Sequence, residues 1–128
     1  MGIYVLKAFD KNTKGDEIND AVLCTSAHEI MNGQYEASFG GGVFKKRIRL
    51  PGKGKSGGAR AVVAFKAGKH LFFVNGYAKS DTGSCGKEIP DDAIKAYKRF
   101  AADLLGMTQK QLDAHIRAKT MREVKGNG

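Results

Sequence analysis

Between residues 37 and 80 the chain has no aspartate or glutamate, and in all 128 residues it has two cysteines, three histidines and no long hydrophobic run. Each scarcity excludes something. Cys24 and Cys85 stand far apart, so no disulfide framework holds the fold; two reduced, buried thiols are expected, and with them a cytoplasmic setting. Two Cys and three scattered His do not make a zinc-ligand pattern, and no metal or other cofactor is expected. The apolar stretch near the N-terminus, Ile3-Tyr4-Val5-Leu6, is far too short for a signal peptide or a membrane span. No membrane partner is therefore expected. The composition, 41% hydrophobic and 27% charged, suits a soluble globular chain that buries a core without staples. Residues 1–128 are read as a single domain.

The missing acids make a charge anomaly. Residues 37–80 hold ten Lys or Arg, which leaves 12 bases against 13 acids elsewhere, so the whole net charge of +9 sits in one third of the sequence. A solvated surface normally mixes both signs. An unmixed basic segment repels itself and draws in a polyanion, so nucleic acid or phosphate is the expected partner.

Periodicity places this segment in a sheet. Residues 3–9 read as a first strand and residues 10–16 as a turn. Residues 17–31 read as a helix with Val22, Leu23, Ser26, Ala27 and Ile30 on one face, stopped at Asn32-Gly33. A glycine-rich connector leads to Gly42. Residues 43–50 alternate as a strand: Phe44, Lys46, Ile48 and Leu50 share one face, Val43, Lys45, Arg47 and Arg49 the other. A loop with four glycines spans residues 51–58. Residues 60–66 and 71–78 are two further strands, joined at Ala67-Gly68 as an antiparallel hairpin. Arg60 and Val62 share a face. After a loop at 79–90, residues 91–105 form a helix with Ile94, Tyr97, Ala101, Leu104 and Leu105 on one stripe, stopped by Gly106. Thr108 and Gln111 have capping-box spacing, and Met107 and Leu112 that of a hydrophobic staple, opening a last helix at 109–119. The order predicts an α+β fold with a small, mainly antiparallel sheet of four or five strands, a basic segment at 40–80 and a helical segment at 90–120.

Gly54-Lys55-Ser56 invites a triphosphate-loop reading. That motif needs glycine where this chain has Arg49, and it must open a helix, whereas the next segment here is strand-like. What survives is a glycine-rich loop with exposed amides and two lysines between basic strands.

The run Gly-Gly-Gly-x-x-Lys-Lys-Arg-Ile at residues 40–48, followed by Pro-Gly-x-Gly-Lys-Ser-Gly-Gly-x-Arg at 51–60, resembles the RelE/ParE superfamily of toxins from bacterial toxin–antitoxin modules, nearest its HigB-like, RelE-like branch. The resemblance continues through Val62-Val63-Ala64-Phe65-Lys66 and Tyr77-Ala78-Lys79 to Glu123-Val124, nearly the whole chain. It implies a compact sheet with helices on one face. It also implies a toxin acting as an mRNA interferase, a metal-independent endoribonuclease that cuts translated mRNA at the ribosome and inhibits translation and growth. The implied partners are mRNA, the ribosome and a small antitoxin of helix-turn-helix type, in a toxin–antitoxin hetero-oligomer. Three positions depart from the pattern: Ala59 stands for an aromatic, Leu50 for an arginine (Arg49 lies one position earlier), and Ser80-Asp81-Thr82 for Asn-x-Arg. They keep open a toxin relative or RNA-binding protein that inhibits the ribosome or gyrase by binding alone. A DNA-binding regulator is a third reading, since residues 104–112 superficially resemble the first helix of a repressor helix-turn-helix, but too little chain follows for a recognition helix.

RNA cleavage requires deprotonation of a 2′-hydroxyl, stabilisation of a phosphorane and protonation of the 5′-oxygen. Arg60 is the first candidate for the phosphorane, Arg47 the second. A lysine crowded by like charge becomes a better base, so Lys45 and Lys55 join the catalytic set, with Lys53 as a further candidate, although phosphate binding is the safer role. Tyr77 can stack on a base or donate its hydroxyl proton. Lys46, Arg49, Lys53, Ser56 and Lys79 complete an RNA-binding set. His28, His70 and His115 stand far from the motif and read as structural or solvated.

Overall fold

In the computed structural model of the chain, the residues described are 2–14, 18–49, 59–78 and 89–124. Six strands form one sheet: β1 (Ile3–Leu6), β2 (Ala37–Gly40), β3 (Val43–Ile48), β4 (Ala59–Phe65), β5 (Leu71–Ala78) and β6 (Met121–Glu123). Four helices, α1 (Lys7–Asn12), α2 (Asp20–Met31), α3 (Asp91–Leu105) and α4 (Gln109–Arg117), pack on it. The spatial order is β2-β3-β4-β5-β1-β6. All neighbours are antiparallel except β1, which runs parallel to β5.

The predicted α+β class is the one observed, and the central hairpin, α3 and the capping box of α4 stand where periodicity puts them. Thr108 Oγ1 accepts from the Gln111 amide at 3.2 Å, and Gln111 Oε1 accepts from the Thr108 amide at 2.9 Å. α2 starts later than predicted, where Asn19 Oδ1 caps the Val22 amide at 2.9 Å, and it buries Leu23, Ser26, Ala27 and Ile30.

Four features differ from the sequence reading. The first strand ends at Leu6, and residues 7–12 turn into a helix instead of a strand end and a turn. This helix buries Phe9 to 1% exposure against Phe73, ring centroids 5.4 Å apart. It can approach because β5 has a glycine beneath it: a Cβ on Gly76 would sit 2.4 Å from Thr13 Cγ2. The glycine-rich connector contains β2, and the tail contains β6; both are short, and only pairing with β3 and β1 defines them. β6 is further held by Arg122, whose Nε and Nη2 donate to Asp10 at 2.8 and 3.1 Å and whose Nη1 donates to Asp20 at 3.0 Å. The hydrogen bond to Asp10 is the chief cause that raises the Arg122 pKa above its ordinary value, against partial burial. Finally, helices cover both faces of the sheet, not one. Tyr4, Val62 and Phe72 face α3 and α4 with Ala101, Leu104 and Leu112. Val5, Val63 and Phe73 face α1 and α2 with Phe9, Leu23 and Ile30. β4 and β5 are apolar on both faces, so each needs cover, at about 1.5–3 kcal/mol for each large side chain buried.

Candidate nucleic-acid interface

The antiparallel register brings three predicted residues into one row. Arg47 of β3 lies directly opposite Arg60 of β4, and Arg60 directly opposite Tyr77 of β5. Directly opposed residues share a face. This face is the α3 side, since Val62 belongs to that core and Tyr77 packs against it. All three side chains are half-buried. Tyr77 is partly buried against the core and flanks Arg60.

Two arginines opposed across a ladder cost stability, by up to about 1 kcal/mol. The row is demanding in another way too. Arg47 donates its backbone amide to Glu36 Oε1, but its side-chain Nε is buried and has no hydrogen-bond partner among the described residues. A buried donor without an acceptor is costly. An anion in front of the row relieves the repulsion between the two guanidiniums, and a phosphate accepts from several N–H groups at once.

Lys45 stands one layer in on the same face, in a second row with Val62 and Asn75. Asn75 accepts from Asn12 Nδ2 at 2.7 Å and donates to the Tyr97 hydroxyl at 2.9 Å, tying α1, β5 and α3 together beside the site. Sequence reasoning passed over both Asn75 and Tyr97. Asn75 was findable, since period two places it on the face of Tyr77. Tyr97 was not, because it falls on the apolar stripe of α3 and reads as core.

One predicted RNA contact is corrected, and a second stands elsewhere than expected. Lys46 points to the opposite face and is 6% exposed. Its ammonium lies 3.0 Å from Glu29 of α2 and donates to the Gln34 carbonyl at 3.0 Å, so it holds α2 and the following turn to β3. Replacing Lys46 with Met is expected to cost about 1–3 kcal/mol in a urea melt, from the lost charged hydrogen bonds, with RNA affinity within twofold of the parent. A tenfold loss of RNA affinity at unchanged stability would return Lys46 to the RNA set. Arg49, expected beside Lys45 and Arg47, is exposed beyond the end of β3 and lines a shallow depression with Val22, Ser26 and Glu29 of α2. Strand alternation stops with the last ladder pair, Ile48 and Ala59, so it no longer sets the side of residue 49.

Lys53, Lys55 and Ser56, and likewise Leu50, Lys79 and Ser80, lie outside the described residues. Ala59 is buried opposite Ile48, whose face is that of α2. A larger side chain at position 59 would thus point to the face opposite Arg60. None of the histidines is in the row; His28 is on α2, which covers the opposite face. His70 Nδ1 accepts from the Gly2 amide at 2.7 Å at the other end of the sheet, and His115 Nδ1 lies 2.9 Å from the Thr120 hydroxyl. Among the described residues no cluster of His, Cys, Asp and Glu is placed to hold a metal ion, and no helix is long and apolar enough to cross a membrane.

A family model described as the RelE toxin of the RelE/RelB toxin–antitoxin system matches residues 1–124. No curated protein matches the chain.

Proposed function

The chain belongs to the RelE toxin family, and from that premise we propose that it is an endoribonuclease of the HigB-like branch that cuts translated mRNA on the ribosome in the cytoplasm. The observation that supports this reading is the in-register row Arg47, Arg60 and Tyr77. A row of this kind suits a reaction at phosphorus. The 2′-oxygen, on losing its proton, attacks the adjacent phosphorus; the P–O5′ bond breaks, and the 5′-oxygen takes up a proton. The products are a 2′,3′-cyclic phosphate and a 5′-hydroxyl. Arg60, at the centre of the row, faces the equatorial phosphorane oxygens with a permanent charge and fixed donors. Arg47 holds the same or the neighbouring phosphate through its guanidinium. Tyr77 stacks on a flanking base or supplies the proton to the 5′-oxygen. Lys45 and, in the glycine-rich segment, Lys53, Lys55 and Ser56 are the phosphate contacts that position the strand, with Lys45 or Lys55 taking the 2′-proton. Lys79 extends the contact beyond β5. A small antitoxin of helix-turn-helix type silences the activity.

Induction in a growing bacterium, with 5′ ends of mRNA mapped, tests the reading. New in-frame cuts in translated messages that vanish with Arg60→Ala are the expected result. Growth arrest with intact mRNA overturns nuclease activity in favour of a toxin that inhibits by binding alone, the reading that a row without a histidine supports. A second expected result concerns salt. With Lys45, Arg47, Lys53, Lys55, Arg60 and Lys79 on phosphates, log affinity for single-stranded RNA should fall with log salt at a slope of about −4, or roughly 300-fold between 50 and 200 mM. A flat titration removes the row from the binding surface.

A further inference from the structure

A cleft of about 820 Å³ opens at the end of the sheet opposite the arginine row. Phe65, in its wall, is five residues along β4 from Arg60, roughly 16 Å at strand rise. α2 ends at Met31, and its last residues, Ile30 and Met31, form one side of the cleft. Beyond it runs an aromatic wall: Tyr35 lies 4.7 Å from Phe44, ring centre to ring centre, and Phe44 lies 6.4 Å from Phe65. Tyr35 is 37% exposed, one of two large hydrophobic residues exposed to that degree among the described residues. Leu105, from the end of α3, closes the far side. Lys66 and Lys69, on the β4–β5 turn, stand on the rim, and among the described residues that line the cleft there is no Asp or Glu.

An apolar trough with an aromatic wall and a one-signed rim fits an amphipathic segment, apolar side chains inward and carboxylates outward. It fits RNA poorly, because the walls are largely aliphatic and aromatic carbon and no arginine lines them. We propose that this cleft is the anchoring site of the antitoxin, and that the anchoring segment is a short helix with apolar residues at helical spacing flanked by Asp or Glu. The inference rests on the chain being the toxin of a toxin–antitoxin pair. It adds that the anchor and the RNA site are separate surfaces at opposite ends of one sheet. Tyr35 is the rigid aromatic anchor at the contact, and Lys66 and Lys69 set its polarity and speed its formation.

The test titrates the full chain with the antitoxin encoded alongside it, purified on its own, by calorimetry. Lys66→Glu with Lys69→Glu, a surface change that spares the core, is expected to weaken binding at least tenfold. Tyr35→Ser is expected to do the same. Both should leave the thermal midpoint and RNA cleavage as in the parent, and Arg60→Ala should keep antitoxin affinity within twofold. If both cleft variants bind like the parent while the parent cuts RNA, the anchor is elsewhere and only this inference falls. If the double variant loses RNA affinity but keeps the antitoxin, the cleft serves nucleic acid and the inference is overturned. Loss of antitoxin binding only in Arg60→Ala would merge the two surfaces and also overturn it. A parent that binds the antitoxin through the cleft but never cuts RNA sinks the nuclease reading and leaves the anchor standing.

Discussion

Arg60→Ala is expected to lower the cleavage rate by about 10²–10³-fold, the usual cost of removing one donor aimed at developing negative charge. The size follows from position. Arg60 is the middle member of its row, with Arg47 on one side and Tyr77 on the other, so a phosphate set before the row meets Arg60 whichever neighbour it also touches. The loss should fall mainly on kcat, because charge builds on the phosphorane oxygens only in the transition state. Arg60→Lys keeps the charge and loses the planar fork, so partial recovery is expected. Arg47→Ala should weaken binding more than turnover, since a flanking contact serves substrate and transition state alike. Single-turnover kinetics on a programmed ribosome reads all of these. An Arg60→Ala rate within threefold of the parent would remove the row from the chemistry.

Gly42→Ala carries the largest expected effect on stability. Gly42 closes the β2–β3 turn at φ +81°, a conformation that side chains rarely adopt. A Cβ there would lie 2.8 Å from Leu105 Cδ1 and 3.2 Å from the Phe65 carbonyl oxygen. The leucine end can swing aside; the carbonyl, in β4, cannot follow so easily. Backbone strain and overpacking together should cost about 2–4 kcal/mol, a fall of about 10 °C in the midpoint of a thermal melt. Gly68→Ala is the control. It has the same φ of +81° with nothing within 4 Å of its Cβ, so it pays the backbone cost alone, about 1–2 kcal/mol. Equal losses in the two variants would show that the contact with Phe65 and Leu105 carries no weight.

These glycines show how far sequence reading reaches. Gly40-Gly41-Gly42 was legible as part of a motif but read as a connector, because a motif does not say which neighbour comes within 3 Å of a missing Cβ. The same division runs through the basic strand. Alternation correctly put Lys45 and Arg47 on one face and Lys46 on the other. It could not show that Glu29, on a helix 17 residues earlier, takes Lys46 out of the RNA set. Nor could it place Arg49, which lies one residue past the last ladder pair.

The sequence alone determined the charge and its confinement to one third of the chain, the alternating central strands, the two C-terminal helices with their caps, and the family resemblance. These depend on residue type and short-range spacing, which the chain carries wherever it folds. Only the tertiary structure decided that Arg47, Arg60 and Tyr77 stand in one row, that short segments at 37–40 and 121–123 are strands, that helices cover both faces, and that an aromatic wall lies at the far end from the arginines. Each of these is a matter of register or cover between segments distant in sequence, and a slip of one residue would have turned every side chain of a strand to the other face.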